Sequence, residues 1–81
     1  MEKRIGAALI LVENKDSVNK LNQILSAHAD AIVGRQGIPL KDRHVSVISL
    51  VLEGTSDELS ALTGPIGKLE GVQVKTLMMK G

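Results

Sequence analysis

The sequence predicts an α+β domain with element order βαββαβ, and three observations carry that prediction. Two runs, Ile5 to Val12 and Val45 to Leu52, are rich in apolar residues at both parities, as central strands covered on both faces would be. Between the runs, apolar residues recur at helical spacing from Val18 and again from Leu59. A last alternating run begins at Val72, just after Gly71.

Ile5 to Val12 follows the charged lead Met1-Glu2-Lys3-Arg4, is too short to span a bilayer, and is read as the first strand. Val18, Leu21, Ile24 or Leu25, and His28 form the stripe of a first helix running to about Ala29, with Asn14, Asp16 or Ser17 available to cap it. Ala31 to Gly34 predicts a short second strand, and Gly37-Ile38-Pro39 a turn, since Pro39 favours an edge or loop. Val45 to Leu52 is the third strand. Thr55-Ser56-Asp57-Glu58 has the spacing of a capping box and opens a second helix whose stripe is Leu59, Leu62, Ile66 and Leu69. Gly64-Pro65 should kink that helix or divide it into two short segments, because Pro65 lacks an amide proton and crowds the preceding turn. Gly71 should terminate it, and Val72 to Met79 is the final strand.

With right-handed crossovers, this order gives a four-stranded antiparallel sheet with both helices on one face, the ferredoxin-like arrangement, in a single domain over residues 1–81. Helices on one face leave a problem on the other. Ile5, Ala7, Leu9 and Leu11 are as apolar as Ala8, Ile10 and Val12, and Val45, Val47 and Val51 match Ile48, Leu50 and Leu52. One set has no internal cover, which predicts self-association as a dimer or tetramer, with Gln73 and Lys75 at the interface rim.

Composition excludes several functions. Ten Lys plus Arg against nine Asp plus Glu leave a net charge of +1, so no overall field draws a polyanion or a membrane surface. Aromatic content is 0%, which removes the stacking platforms on which many single-strand nucleic-acid binders depend; direct nucleic-acid binding is not expected. Without cysteine there is no disulfide, thiolate ligand or sulfur nucleophile, which fits a cytoplasmic location.

The candidate binding residues are few. Arg35, between Gly34 and Gly37, can clamp a carboxylate or phosphate where the backbone approaches closely. Glu13, Asn14 and Lys15 form the turn into the first helix, where free amides can receive an anion. His28 and His44 are weak metal candidates that form a ligand set only if subunits combine them. Gly64, Gly67 and Gly71 follow no strand and make a poor phosphate loop. Asp16, Ser17, Ser56, Asp57 and Glu58 are explained by helix starts, so the chain reads as a non-enzyme, and the sequence names no cofactor.

Arg4-Ile5-Gly6, Val12-Glu13, Ser17-Val18, Leu21-Asn22, Ile24-Leu25, Ile32-Val33-Gly34-Arg35, Gly37-Ile38-Pro39, Ala61-Leu62-Thr63-Gly64 and Gly71-Val72, with Ile48, Gly67, Leu69 and Val74-Lys75-Thr76, together resemble the regulators associated with iron-only hydrogenase systems. Those proteins are related to the ACT-like ligand-binding domain of nickel-responsive repressors. The resemblance implies an ACT-like fold, oligomerisation, and a regulatory rather than catalytic role in hydrogenase expression or assembly, and it supplies no ligand; the leading reading is an oligomeric module that binds a small molecule or a partner protein at a subunit interface. The repressors carry a DNA-binding segment ahead of this domain, whereas the first strand here begins near residue 4, so direct promoter binding is not carried over. Their metal site uses several histidines and a cysteine; with only His28 and His44 present, it is not carried over either. The alternatives are a structural or assembly accessory without a ligand and a metal sensor using intersubunit histidines.

Overall fold

The computed structural model describes residues 2–79. Four strands and two α-helices follow in the order β1 (Arg4–Val12), α1 (Val18–Ala27), β2 (Ile32–Leu40), β3 (Val45–Gly54), α2 (Ser56–Gly67) and β4 (Val72–Met78). Short 3-10 turns at Lys15–Ser17, Ala29–Ala31 and Lys41–Arg43 lead into α1, β2 and β3. The strands lie in the order β2-β3-β1-β4, every neighbouring pair antiparallel, as the ferredoxin-like arrangement requires.

Register decides which residues meet. Ile10 of β1 stands opposite Ile48 of β3 and Val74 of β4, and Ala8 stands opposite Leu50. Directly opposed residues share a face, so this pairing gathers one parity of each strand beneath the helices. Leu21 and Leu25 of α1 and Leu59, Leu62 and Ile66 of α2 close over that layer. Ile10, Leu52, Leu62 and Ile66 are completely buried. Burying each such aliphatic side chain contributes roughly 1.5–3 kcal/mol.

The other parity is bare. Ile5, Leu9, Val51 and Leu77 are between 49% and 74% exposed. The central strands are therefore covered on one face only within the chain, and the uncovered apolar set predicted from the sequence is present.

Four expectations need correction. The second strand is not the short segment Ala31–Gly34: β2 runs to Leu40, with Gly37-Ile38-Pro39 inside it and Pro39 opposite Ser46. Proline is tolerated there because β2 is an edge strand, where a missing amide proton need not interrupt the sheet. The chain reverses later, at Lys41–Arg43. Of the two outcomes expected at Gly64-Pro65, a kink or a division, the division does not occur: α2 is continuous through Pro65. Pro65 sits in the last turn, so few helical bonds depend on it, and its carbonyl still accepts from the Lys68 amide at 3.2 Å. Finally, α2 ends at Gly67 rather than at Gly71, which belongs to the following turn. At the other end of the molecule α1 stops at Ala27, two residues short of expectation.

The capping box is formed as predicted. Thr55 Oγ1 accepts from the Glu58 amide at 3.2 Å, and Glu58 Oε1 accepts from the Thr55 amide at 2.9 Å. The Thr55 backbone N–H, with the Thr55 hydroxyl and Lys3 in support, holds the Glu58 carboxyl below its ordinary range. A depressed folded-state pKa adds stability above the unfolded-state value, and that stability is lost as pH falls through the folded value. Thr55→Ala is expected to cost about 1 kcal/mol, or roughly 4–8 °C in Tm. Glu58→Gln should melt below wild type at neutral pH, and the gap should close once pH falls below the carboxylate range. Circular dichroism melts across pH check both; a gap independent of pH would refute the role of the Glu58 charge.

Candidate functional site

The turn after β1 is committed largely to internal contacts. Asn14 Oδ1 accepts from the Asp16 amide at 2.9 Å, capping the 3-10 turn rather than α1. Glu13 donates its amide to the Gly71 carbonyl at 2.7 Å, and its carboxylate accepts from Gln73 Nε2 at 2.9 Å. Ser17, a cap candidate by sequence, makes no cap hydrogen bond. It is buried, and its hydroxyl donates to the Glu70 carbonyl at 2.6 Å. These contacts tie the β1–α1 turn to the α2–β4 turn, and they engage two of the predicted ligand contacts, Glu13 and Asn14.

Gly71 makes the tie feasible. Its φ is +69°, and a Cβ there would lie 2.5 Å from Asn14 Cβ, closer than two carbon atoms can approach.

Lys15 points the other way. It lines a groove of about 370 Å³ with Lys41, His44 and the β2–β3 hairpin. Beyond it, between α1 and β2, a narrower recess of about 220 Å³ is lined by Arg35 and Gly37. Both are lined by Val12, Val18, Pro39 and Ser46, so the two hollows adjoin along a trough. It exists because β2 lies beyond the cover of α1: from Val33 to Pro39 every residue of β2 is exposed. Arg35 stands opposite Leu50 and Gly37 opposite Ile48, which puts both on the helix side of the sheet. Gly34 stands opposite Val51 on the bare face. Lys15 lines one of these two adjoining hollows, Arg35 and Gly37 line the other, and Gly34 lines neither. Lys41 was missed because nothing in its local sequence places it beside Lys15; the hairpin's projection does.

The histidines lie apart. His28 closes α1, with its amide directed to the Ile24 and Leu25 carbonyls, while His44 ends the hairpin turn at φ 55°. The nine residues of β2, roughly 26 Å at about 3.3 Å per residue, separate the two ends. Among the described residues no three potential metal ligands cluster.

Residues 4–76 match the TM1266-like family, whose description, iron-only hydrogenase system regulator, is provisional. The chain belongs to this family. Its fold is similar to that of the uncharacterized protein TM1266 from Thermotoga maritima, at 32% identity and a TM-score of 0.92, over 98% of this chain and 100% of that one. More distant likenesses show the fold alone. One is an unknown protein from Galdieria sulphuraria (13% identity, TM-score 0.65, 99% of this family member and 47% of that chain). Another is the divalent ion tolerance protein CutA1 from Ehrlichia chaffeensis (12%, 0.57, 100% and 86%). No curated protein matches.

Gly71→Ala should therefore lower stability by at least about 2 kcal/mol, combining left-handed strain with the clash. Arg35→Ala should leave Tm unchanged, because surface substitutions usually stay within about 0.5 kcal/mol. Thermal melts of the two variants check this; equal effects would contradict the division between a locked turn and an open trough.

Proposed function

We propose that this protein is a homo-oligomeric, ACT-like regulatory module of an iron-only hydrogenase system, acting in the cytoplasm and binding a small ligand or partner protein whose presence it transmits through association. The bare sheet face carries the reading. Val51 and Leu77 flank Ala7 in one row, Leu9 lies in the next, Ile5 stands toward one end, and Leu11 and Val47 continue the apolar strip toward the other. A monomer rarely leaves so continuous an apolar surface in water.

A second copy is the occupant that suits it. Glu53, beside Ile5, and Lys75, beside Leu9, put both signs of charge on the same face. A two-fold interface presents identical patches to one another, so a face carrying both signs can complement itself. An interface of about 800 Å² per subunit would also support so small a domain, which buries a modest fraction of its own surface.

A regulatory rather than catalytic role is supported by the family description and by the engagement of two side chains capable of catalytic chemistry. The Ser17 hydroxyl and Glu58 carboxylate are engaged in structural hydrogen bonds. A second reading, an assembly accessory without a small ligand, draws on the same bare sheet face, which could dock onto a larger protein instead of a second copy.

Native mass spectrometry of the untagged protein distinguishes them, and suits a chain without Trp or Tyr. A dimer or tetramer is expected. Leu9→Glu should weaken association by at least about a hundredfold, because it sets like charges against each other across the two-fold axis, while the circular dichroism spectrum is kept. A monodisperse wild-type monomer at micromolar concentration would overturn the homo-oligomeric reading.

A further inference from the structure

We infer that the trough between α1 and the β2–β3 hairpin binds a small aliphatic monocarboxylate, with the carboxylate at Lys15, Lys41 and His44 and the apolar chain running toward Gly37. The inference deepens the ligand-binding half of the proposed function and rests on it.

Charge and apolarity are divided along the trough. Its wider end gathers Lys15, Lys41 and His44, all exposed. The side-chain hydrogen bonds among the described residues involve none of the three, so their donors face water. The narrower end is made chiefly of Val12, Val18, Leu21 and Ile48, with Arg35 its one cation. A ligand that satisfies both ends has an anionic head and an aliphatic body. The wider end's volume, about 370 Å³, is at the small end of ligand sites.

What is missing from the lining sharpens the class. No Asp or Glu lines either part of the trough; Asp42 lines a separate, more open hollow on the far side of Pro39, Leu40 and Lys41, where Arg43 accompanies it. An ammonium group placed in the trough would lose water without gaining an opposite charge, and would sit among cations. That disfavours amino acids and other zwitterions and leaves simple carboxylates. No aromatic residue is present to stack on a planar ring, which favours an aliphatic body over a nucleobase.

Gly37 gives a way to test the trough without damaging the fold. A Cβ added there meets nothing within 4 Å, and the residue lies in an edge strand. Gly37→Leu should fill the narrow end and leave Tm equal to or above that of wild type, since glycine is a poor strand residue.

The experiment is a ¹H–¹⁵N correlation titration of the full chain with octanoate, octylamine and leucine, each to about 10 mM, ten times the level that half-saturates a millimolar site. Octanoate should give saturable shifts centred on Val18, Gly37, Ile38 and Ser46, and octylamine and leucine should not. Gly37→Leu should abolish the shifts. Lys15→Ala/Lys41→Ala should weaken binding at least about tenfold, as expected when charged hydrogen bonds are removed, with Arg35→Ala having the smaller effect. The inference is overturned by no saturable shift, by equal binding of octylamine, by shifts centred on Leu9 and Val51 of the bare face, or by a loss confined to Arg35→Ala. Native mass spectrometry of the same samples keeps the readings separate: an oligomer that ignores octanoate removes the trough and leaves assembly standing, and a monomer that binds it does the reverse.

Discussion

Everything in this structure depends on one aliphatic layer closed from one side. Two helices supply Leu21, Leu25, Leu59, Leu62 and Ile66, and the sheet answers with Ala8, Ile10, Val12, Leu50 and Leu52. With no aromatic ring to fill space, branched aliphatic side chains must interlock to close it, and the register of β1 against β3 brings them opposite one another. A slip of one residue would turn the buried parity outward and carry Leu9, Leu11 and Val51 beneath the helices. Both parities being apolar, register rests on details as well as hydrophobicity: small Gly6 and Gly54 lie under α2, and polar Glu53, Gln73 and Lys75 lie on the far face.

From that one-sided closure the remaining features follow. Two helices are wide enough for β3, β1 and β4 but leave β2 outside their shelter, and so β2 is exposed along both faces. Its defences are those of an edge strand. Pro39 withholds a donor, Arg35 brings a charge, and the register irregularity between Ile32 and Gly34 disturbs the regular edge. The same overhang opens the trough under the hairpin, so a strand that contributes little to the core shapes a cavity.

Two turns at the same end of the sheet are handled differently. At one turn, backbone and hydroxyl hydrogen bonds to Glu70 and Gly71 fasten the start of α1 to the start of β4. At the hairpin, the charged turn Lys41-Asp42-Arg43 stands out in solvent and ends on His44 in the left-handed region, an unusual conformation for a side-chain-bearing residue. Rigidity beside an open, charged hairpin is a common setting for a binding surface.

The amino-acid sequence by itself determined the element order, both central strands, the Thr55–Glu58 cap and the excess apolar face, because periodicity and capping act over a few residues. It also carried the family likeness, and it singled out Lys15, Arg35 and Gly37. Only the tertiary structure decided that Gly37-Ile38-Pro39 continues a strand, since pairing with β3 outweighs the local turn tendency when proline can sit on an edge. It also decided that Glu13 and Asn14 serve a loop tie and that Lys41 joins Lys15. Those relations join residues distant in sequence, 13 with 71 and 15 with 41, and no local pattern encodes which distant partner the folded chain will bring into reach.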